Sequence, residues 1–438
     1  MNGDLPDHLA IEQRRGIDAT SLLTVYVVLL IAIPSKLVFA PLGGAGTPAQ
    51  VVGVLGGVWY LWYRVQRPQS IDLGPQPVRA AFLMFAAALC ASYIASMIRP
   101  ISDGELSTAD LGLVSIVGWV GVVLVANDGI TSLDRMLALL RRVSAMGGAL
   151  AALGIVQFVS GQALTDRIEI PGLTVNTVYF GVAVREGFTR PAGTAVHPIE
   201  FGVVLTAILP IALVCAMIMT NRSWVQRWYP VLAIAAAIPL SISRSAILGT
   251  IVSWAVLLPA WPKRARRWTY LAVGILGVAI FLTIPGFLST LSGLFTGIGN
   301  DASAGSRTGS YAIAWEFVQR SPLVGRGYST FLPSYWILDN QYLGLLIETG
   351  IIGLASYLFM LVTGFRTALR AAKAKRDPNL RQVGHAIAAA IAALAVCNTF
   401  YDLLAFPMSA GILFLILGLS GAFLRLVRQR GRHSAYEG

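Results

Sequence analysis

Long apolar runs separated by short polar or basic breaks dominate this chain. Crossing a hydrocarbon core of ~30 Å takes about 20 apolar residues, and runs of that kind can be drawn twelve times. They cover residues 21 to 40, 49 to 63, 79 to 97, 111 to 126, 137 to 160, 199 to 220, 228 to 242, 245 to 261, 268 to 286, 339 to 365, 383 to 401 and 407 to 424. The pattern predicts an all-α membrane protein of about twelve transmembrane helices.

The breaks alternate in basic content. One set holds 24 of the 33 Lys and Arg residues, among them Arg14, Arg64, Arg141, Arg227, Lys263, Arg370 and Arg428. The opposite set holds eight: Arg99, Arg167, Arg185, Arg190, Arg244, Arg307, Arg320 and Arg326, with Lys36 inside the first run. Basic residues are retained on the cytoplasmic side, so both termini are expected there. The layout is a tail over residues 1–20, one polytopic domain over 21–424, and a basic tail over 425–438.

Two connections on the opposite, outer side are long, residues 161–198 and 287–338, and long connections are where function concentrates. In "TGSYAIAWEFVQRSPLVG", Tyr311, Ala314, Trp315 and Val318 recur at helical spacing, with Pro322 and Gly325 to stop the run. An amphipathic helix from Thr308, lying on the outer membrane surface or capping the bundle, is expected there.

Composition agrees with the pattern. Of 438 residues 56% are hydrophobic and 12% charged, against roughly 25% charged in a soluble domain, and mean hydropathy is +0.69. The polar, mixed-charge first twenty residues lack the apolar core and cleavage site of a secretory signal, so the first run reads as a retained span. Cys90, Cys215 and Cys397 lie in apolar runs without CxxC spacing, which suggests neither a disulfide framework nor a metal site. Only four of the basic residues are lysines. Neither P-loop, DxD, HExxH nor GxSxG occurs, so nothing points to ATP, a metal or a nucleotide cofactor, and no nucleic-acid partner is implied.

The outer side carries a polar constellation. In "LSISRSAILG" two short helices place Arg244 near the outer headgroup level, where a charge calls for an anionic partner, a polar cavity or a lipid phosphate. Arg307 precedes the expected surface helix, whose N-terminus adds N–H groups and partial positive charge, together a possible phosphate seat; a flexible loop arginine is the alternative. Two arginines facing one side suit a diphosphate through bidentate contacts. In "FTRPAGTAVHPIEFG", Arg190, Thr194, His197 and Glu200 run into the sixth span, His197 being either a base or a structural hydrogen bonder. Asp339 opens the tenth span, where Asp is a favoured N-cap. Glu348 lies nine residues on, ~13.5 Å deeper and ~180° around an unbroken helix, so the two carboxylates are not expected to share one substrate atom, and Glu348 reads as a buried structural contact.

"RPAGTAVHPIEFG", "SRSAILG", "SRTGSYAIAWEFVQRSPLVGRGYSTF" and "DNQYLGLLIETGIIGL", in this order over residues 190 to 355, resemble the O-antigen ligase and polysaccharide polymerase superfamily. The resemblance implies a membrane glycosyltransferase of GT-C type that takes glycan from a polyprenyl diphosphate carrier. The carrier's sugar–phosphate bond supplies the energy. The arginines that hold the diphosphate map by motif onto Arg244 and Arg307. The histidine that precedes the helix-opening asparagine in the family, assigned as base for the acceptor hydroxyl, is Asp339 here, a departure that opens the identity of the base to Asp339 or His197. Arg190, Tyr311, Arg326 and Asn340, in the same motifs, are candidates for substrate or supporting contacts.

The function implied is transfer or polymerisation of glycan from the lipid-linked donor onto a hydroxyl acceptor at the outer face of the cytoplasmic membrane, with inversion at the sugar carbon and without cofactor. A transporter or flippase of lipid-linked oligosaccharide is the competing reading. It calls for inverted repeats and ionisable groups near the midplane, for which only Glu348 and Lys36 are candidates.

Overall fold

A computed structural model describes residues 18–66, 74–176, 183–185, 187–296, 302–373 and 377–436. The twelve apolar runs all fold as helices: α1 (Ala19–Ala32), α2 (Pro48–Gln66), α3 (Pro77–Ser96), α4 (Asp103–Gly129), α5 (Leu133–Ser160), α6 (Pro198–Ile218), α7 (Trp224–Leu240), α8 (Arg244–Leu257), α9 (Lys263–Thr283), α12 (Gln341–Lys373), α13 (Pro378–Cys397) and α14 (Pro407–Tyr436). Hydrocarbon offers backbone groups no water, so each span must close its hydrogen bonds internally. Among the described residues eight helices are long and apolar enough to cross a membrane: α3, α4, α5, α6, α9, α12, α13 and α14. The others, α1, α2, α7 and α8, are shorter or less apolar, so the described residues support eight spans by length and composition, and the expected count of twelve goes beyond that.

Helix starts follow local chemistry. Asp18 Oδ1 accepts from Ser21 N at 2.8 Å to cap α1, while Ser102, Ser132 and Ser223 cap α4, α5 and α7. Of the expected N-terminal tail only residues 18–20 are described, and they open α1. At the other end the basic segment continues α14, and Arg425, 4% exposed, donates to the carbonyls of Asn127 and Ile130. Its first residue is therefore packed against the end of α4.

The packing is centred on α6 and α14, whose most apolar windows are 89% and 100% buried, whereas no residue in the apolar window of α9 is fully buried. With no hydrophobic drive between helices in lipid, close approach comes from small residues. A Cβ on Gly121 of α4 would stand 2.0 Å from the Gly53 carbonyl oxygen of α2. Only glycine permits that crossing.

Lys36, expected within the first span, lies beyond it. Pro34 lacks an N–H and holds Ile33 extended (φ −86, ψ 129), so α1 ends at Ala32. Lys36 then pairs with Asp166 of the first long connection. That connection is tied down by two small antiparallel pairs, β1 (Leu37–Val38) with β2 (Thr174–Val175) and β3 (Ala183–Arg185) with β4 (Phe188–Arg190). Thr194 donates to the Ile31 carbonyl at 2.5 Å and its own carbonyl accepts from Ser35 N at 2.8 Å.

The second long connection holds α10 (Phe287–Thr296) and α11 (Ala302–Arg320). A helix does occupy this stretch, but it starts at Ala302, six residues before Thr308, because no proline stops it and Ala302 to Ser306 are compatible with helix. Its apolar stripe is also split. Ala314 and Val318 are buried against Leu338 and Ile347, while Tyr311 (58% exposed) and Trp315 (61%) look outward. One edge of the stripe meets the bundle, and the other presents aromatics of the kind that sit at membrane interfaces.

The span expected over 339 to 365 is broken. Gly350 takes φ 63, ψ −165, and the chain segment from Ser321 to Gly327 inserts at the break. Ile351 N and Ile352 N donate to the Pro322 and Leu323 carbonyls at 2.9 and 3.2 Å, while Arg326 N and Gly327 N donate to the Ile347 and Glu348 carbonyls at 3.0 and 2.9 Å. Ser92 Oγ of α3 adds a bond to the Glu348 carbonyl at 2.6 Å. A Cβ on Gly350 would come within 2.3 Å of the Leu323 carbonyl oxygen, and one on Gly325 within 2.2 Å of Glu348 backbone. Gly350→Ala combines that clash with a left-handed backbone, and should cost about 2 to 4 kcal/mol. Thermal unfolding in detergent should show a drop in Tm; an unchanged Tm means that the break is not held as described.

Candidate functional site

Four helix N-termini meet around one turn, Asn398 to Phe406, between α13 and α14. Glu200, in the first turn of α6, accepts from Met408 N at 2.7 Å and Ser409 N at 3.2 Å through Oε1, and from Val196 N at 2.8 Å through Oε2. It thereby caps the start of α14 while fixing the entry to α6. The start of α8 touches the same place: the Cys397 thiol donates to the Ser245 carbonyl at 3.2 Å. So does the start of α12, where Gln341 N donates to the Asn398 carbonyl at 2.8 Å and Gln341 Oε1 accepts from Leu404 N at 2.7 Å. Helix N-termini carry partial positive charge, so this end of the bundle favours anions.

The expected cap of α12 moves by one residue. Asn340, not Asp339, accepts from Tyr342 N at 3.0 Å and Leu343 N at 3.2 Å, because the helix opens at Gln341 and the capping oxygen belongs to the residue just outside it. Asp339 sits before the cap with φ 48, a left-handed backbone uncommon outside glycine. Asn340 N donates to Asp402 Oδ1 at 3.2 Å. Burial, and next the negative charge of Asp339, push the Asp402 carboxyl up to about 6, against the pull of the Asn340 N–H. Asp339 and Asp402 thus form a carboxylate pair; the motifs identify only the first.

Arg244 is the first residue of α8, and Ser243 makes no side-chain cap there. The starts of α6, α12 and α14 are instead capped by His197, Asn340 and Glu200. Just before Arg244, the β-branched Ile242 has φ 48 and is fully buried with Leu240 and Phe287. Arg190 Nε braces this turn from the other side by donating to the Ser241 carbonyl at 3.0 Å. Burial, then the charge of Arg185, lower Arg190 to about 10, so it remains a cation at neutral pH.

His197 is the N-cap of α6, its Nδ1 accepting from Ile199 N at 3.2 Å. That bond places the ring proton on Nε2, leaving a donor rather than a base on the open side. Burial, and then Arg190, lower its pKa to about 4, so the ring is neutral. Its ring stands 6.4 Å from that of Phe406, which ties it to the same turn.

The remaining candidates lie elsewhere. Arg326 pairs with Glu105, which also accepts from Tyr335 OH at 2.8 Å and pairs with Arg99 at 2.9 Å. The Arg326 guanidinium is flanked by the Phe317 and Tyr335 rings at 5.0 and 5.1 Å. This is a clamp holding the second long connection to α3 and α4. Tyr311 faces outward from α11. Arg307 lies in the second turn of α11, not before its first, so the helix N-terminus does not frame it; its side chain is outside the described residues.

Beside the turn opens a cavity of about 360 Å³ lined by Asp402, Glu348, Gln341, Gln50, Tyr328 and Trp336 among others. Glu348, whose carboxylate accepts from Phe331 N at 3.1 Å, therefore faces the cavity that Asp402 lines. Glu348 thus keeps the structural contact expected of it and also lines a cavity that helical spacing alone does not reveal. The signal that could have found Asp402 is that it is the one acidic residue in the connection between the last two spans.

The model of the O-antigen ligase family matches residues 229–358. That segment contains Arg244, Arg307, Tyr311, Arg326, Asp339, Asn340 and Glu348, and leaves Arg190, His197 and Asp402 outside. No curated protein matches the chain. The resemblance read from the motifs holds for this segment: a chain with eight helices of membrane-crossing length and apolarity among its described residues carries an O-antigen-ligase-like region.

Glu105→Gln would leave Arg99 and Arg326 facing a neutral amide in a site where the carboxylate side chain is 4% exposed. Breaking such a pair costs about 3 to 5 kcal/mol, to be read as a large fall in Tm; a small fall would make the clamp a solvated surface pair.

Proposed function

We propose that this protein transfers or polymerises glycan from a polyprenyl-diphosphate-linked donor onto an acceptor hydroxyl, at the outer face of the cytoplasmic membrane. One observation carries the reading. The uncapped start of α8 with Arg244, and the Asp339–Asp402 carboxylate pair, flank the same end of α13, at Ser245 and Gln341 respectively. A seat for a diphosphate and an acceptor for a proton are thereby neighbours. The family match over residues 229–358 and the excess of basic residues on the opposite loops support the chemistry and the sidedness.

The donor's diphosphate binds Arg244 and the α8 N–H groups, with Arg307 of α11 as the second cation. The acceptor oxygen attacks the sugar carbon from the side opposite the diphosphate. The glycosidic bond forms, the carbon–oxygen bond to phosphate breaks with its electron pair, and the lipid diphosphate leaves with its negative charge held by the arginines. The hydroxyl proton passes to Asp402. Near pH 7 a carboxylate of pKa about 6 is ionised, yet more basic than an ordinary aspartate. Asp339 raises that basicity by its charge and orients the acceptor. Arg190 and His197 hold the Arg244 turn and the α6 entry. Attack from the rear inverts the sugar carbon.

The flippase reading gains from the broken α12, since interrupted helices mark transporter sites. Here the break is filled by the chain's own Pro322 to Gly327 backbone, which leaves it no ion or substrate to bind.

Purified protein with a polyprenyl-diphosphate oligosaccharide and a hydroxyl acceptor should form glycan product, and Arg244→Ala should abolish it with Tm preserved. Movement of the lipid between leaflets without product would favour the flippase. Asp402→Asn should lose about 10²- to 10⁴-fold, whereas Asp339→Asn should lose less and move the acid limb to lower pH. The reverse order would make Asp339 the base.

The pH dependence has opposite signs for rate and stability. Transfer requires ionised Asp402, so the rate falls as pH drops through about 6. Stability changes the other way. The carboxyl is raised from its ordinary value of 3.8, so the native state binds the extra proton between 3.8 and about 6, and this contribution is lost as pH rises across that window. A pH–rate profile and Tm at pH 4.5 and 7, each repeated on Asp402→Asn, separate the two.

A further inference from the structure

The 360 Å³ cavity has a chemical bias that the proposed transfer does not itself require. Among its described lining residues are two carboxylates, Glu348 and Asp402, the amides of Gln50 and Gln341, and the aromatic side chains of Tyr328 and Trp336. None of the lining residues is Lys, Arg or His. Of the nearby cations, Arg326 and Arg99 face Glu105 and Arg190 faces the Ser241 carbonyl, while Arg244 and Arg307 are assigned above to the donor's diphosphate.

The volume is at the lower end of ligand pockets, roughly 300 to 1,000 Å³, suited to a glycan terminus rather than a long stretch. Aromatic walls with a few convergent acceptors and amides match the alternating apolar faces and hydroxyl edges of a sugar ring. Each carboxylate receives a backbone N–H, from Phe331 to Glu348 and from Asn340 to Asp402. These bonds fix the two groups in place, and a carboxylate retains capacity for further donors. Trp336 is itself anchored, its Nε1 donating to Ser310 Oγ of α11 at 2.9 Å. The cavity wall therefore joins α11 to the α12 start.

We propose that this cavity is the acceptor subsite, and that it takes a glycan end carrying no negative charge, either a neutral sugar or an amino sugar. Uronate- or phosphate-bearing ends are rejected, because their charge would lie against two fixed carboxylates without a compensating cation. The inference rests on the transferase reading for the word acceptor, but the binding preference stands apart from it.

The test uses the full chain in nanodiscs of zwitterionic lipid, with binding of three trisaccharides followed by saturation-transfer NMR and titration: glucosamine, N-acetylglucosamine and galacturonic acid. Glucosamine and N-acetylglucosamine should bind, and galacturonate should be weaker than N-acetylglucosamine by roughly tenfold or more at low salt. The gap should narrow as salt rises, a result that needs no variant. Glu348→Gln with Asp402→Asn should abolish the discrimination while keeping N-acetylglucosamine binding. Galacturonate binding as well as the neutral sugar, a gap insensitive to salt, or binding of none of the three overturns the proposal. Transfer of lipid-linked glycan onto uronate-ended acceptors at the neutral rate overturns it too, while leaving the transferase standing. The stated binding order without transfer from any donor does the reverse.

Discussion

The break in α12 is the constraint on which the cavity-bearing half of the molecule depends. A helix that unwinds in a bilayer exposes carbonyls and N–H groups that lipid cannot satisfy, at a cost of several kcal/mol each. Here Ser321 to Gly327 answers that demand with its own backbone on both sides of Gly350. The exchange locks a long connection, which would otherwise hang from the bundle, against the middle of a span. From that anchor the chain returns through Tyr328 to Leu338, forming one wall of the cavity, before α12 begins. Glu348, two residues before the break, lines the cavity from the α12 side.

A second device works through helix ends. The starts of α6, α8, α12 and α14 converge on the Asn398–Phe406 turn, and three of them are capped by side chains: α6 by His197 and α12 by Asn340, each just outside its own helix, and α14 by Glu200 of α6. Convergent N-termini suit an anion but disfavour nothing that is already negative, so the two aspartates beside them need a reason. Burial, and then the negative charge of Asp339, raise the proton affinity of Asp402 towards the range useful at neutral pH. In the proposed transfer, one piece of geometry would supply both the seat for the diphosphate and the acceptor for the proton. The strained backbone of Ile242 and of Asp339 stands at these two points, as expected where surrounding packing over-determines a functional conformation.

The clamp of Glu105, Arg99, Arg326 and Tyr335 belongs to the same logic. Arg326 lies in a motif shared with candidate phosphate-binding residues, yet its charge is matched by a carboxylate from α4. A motif records that a residue type is needed, not what it faces. Tyr311 shows the same limit: helical spacing placed it with Ala314 and Val318, and the bundle covers only the other edge of that stripe.

Much was legible in the sequence. Apolar runs determined where the helices lie, because a chain in hydrocarbon has few alternatives to helix, and the basic asymmetry of the loops is itself a one-dimensional signal. Motif order located Arg244, Asp339 and Asn340 near helix starts. What tertiary structure alone decided is which of these groups meet. Asp402 lies 63 residues beyond Asp339 and in no motif, yet the Asn340 N–H bonds it. The helix break depends on backbone pairing between Pro322–Gly327 and Ile347–Ile352. Periodicity assigns a face only while a helix stays unbroken, and charge pairing depends on distance through space. Local residue types carry neither.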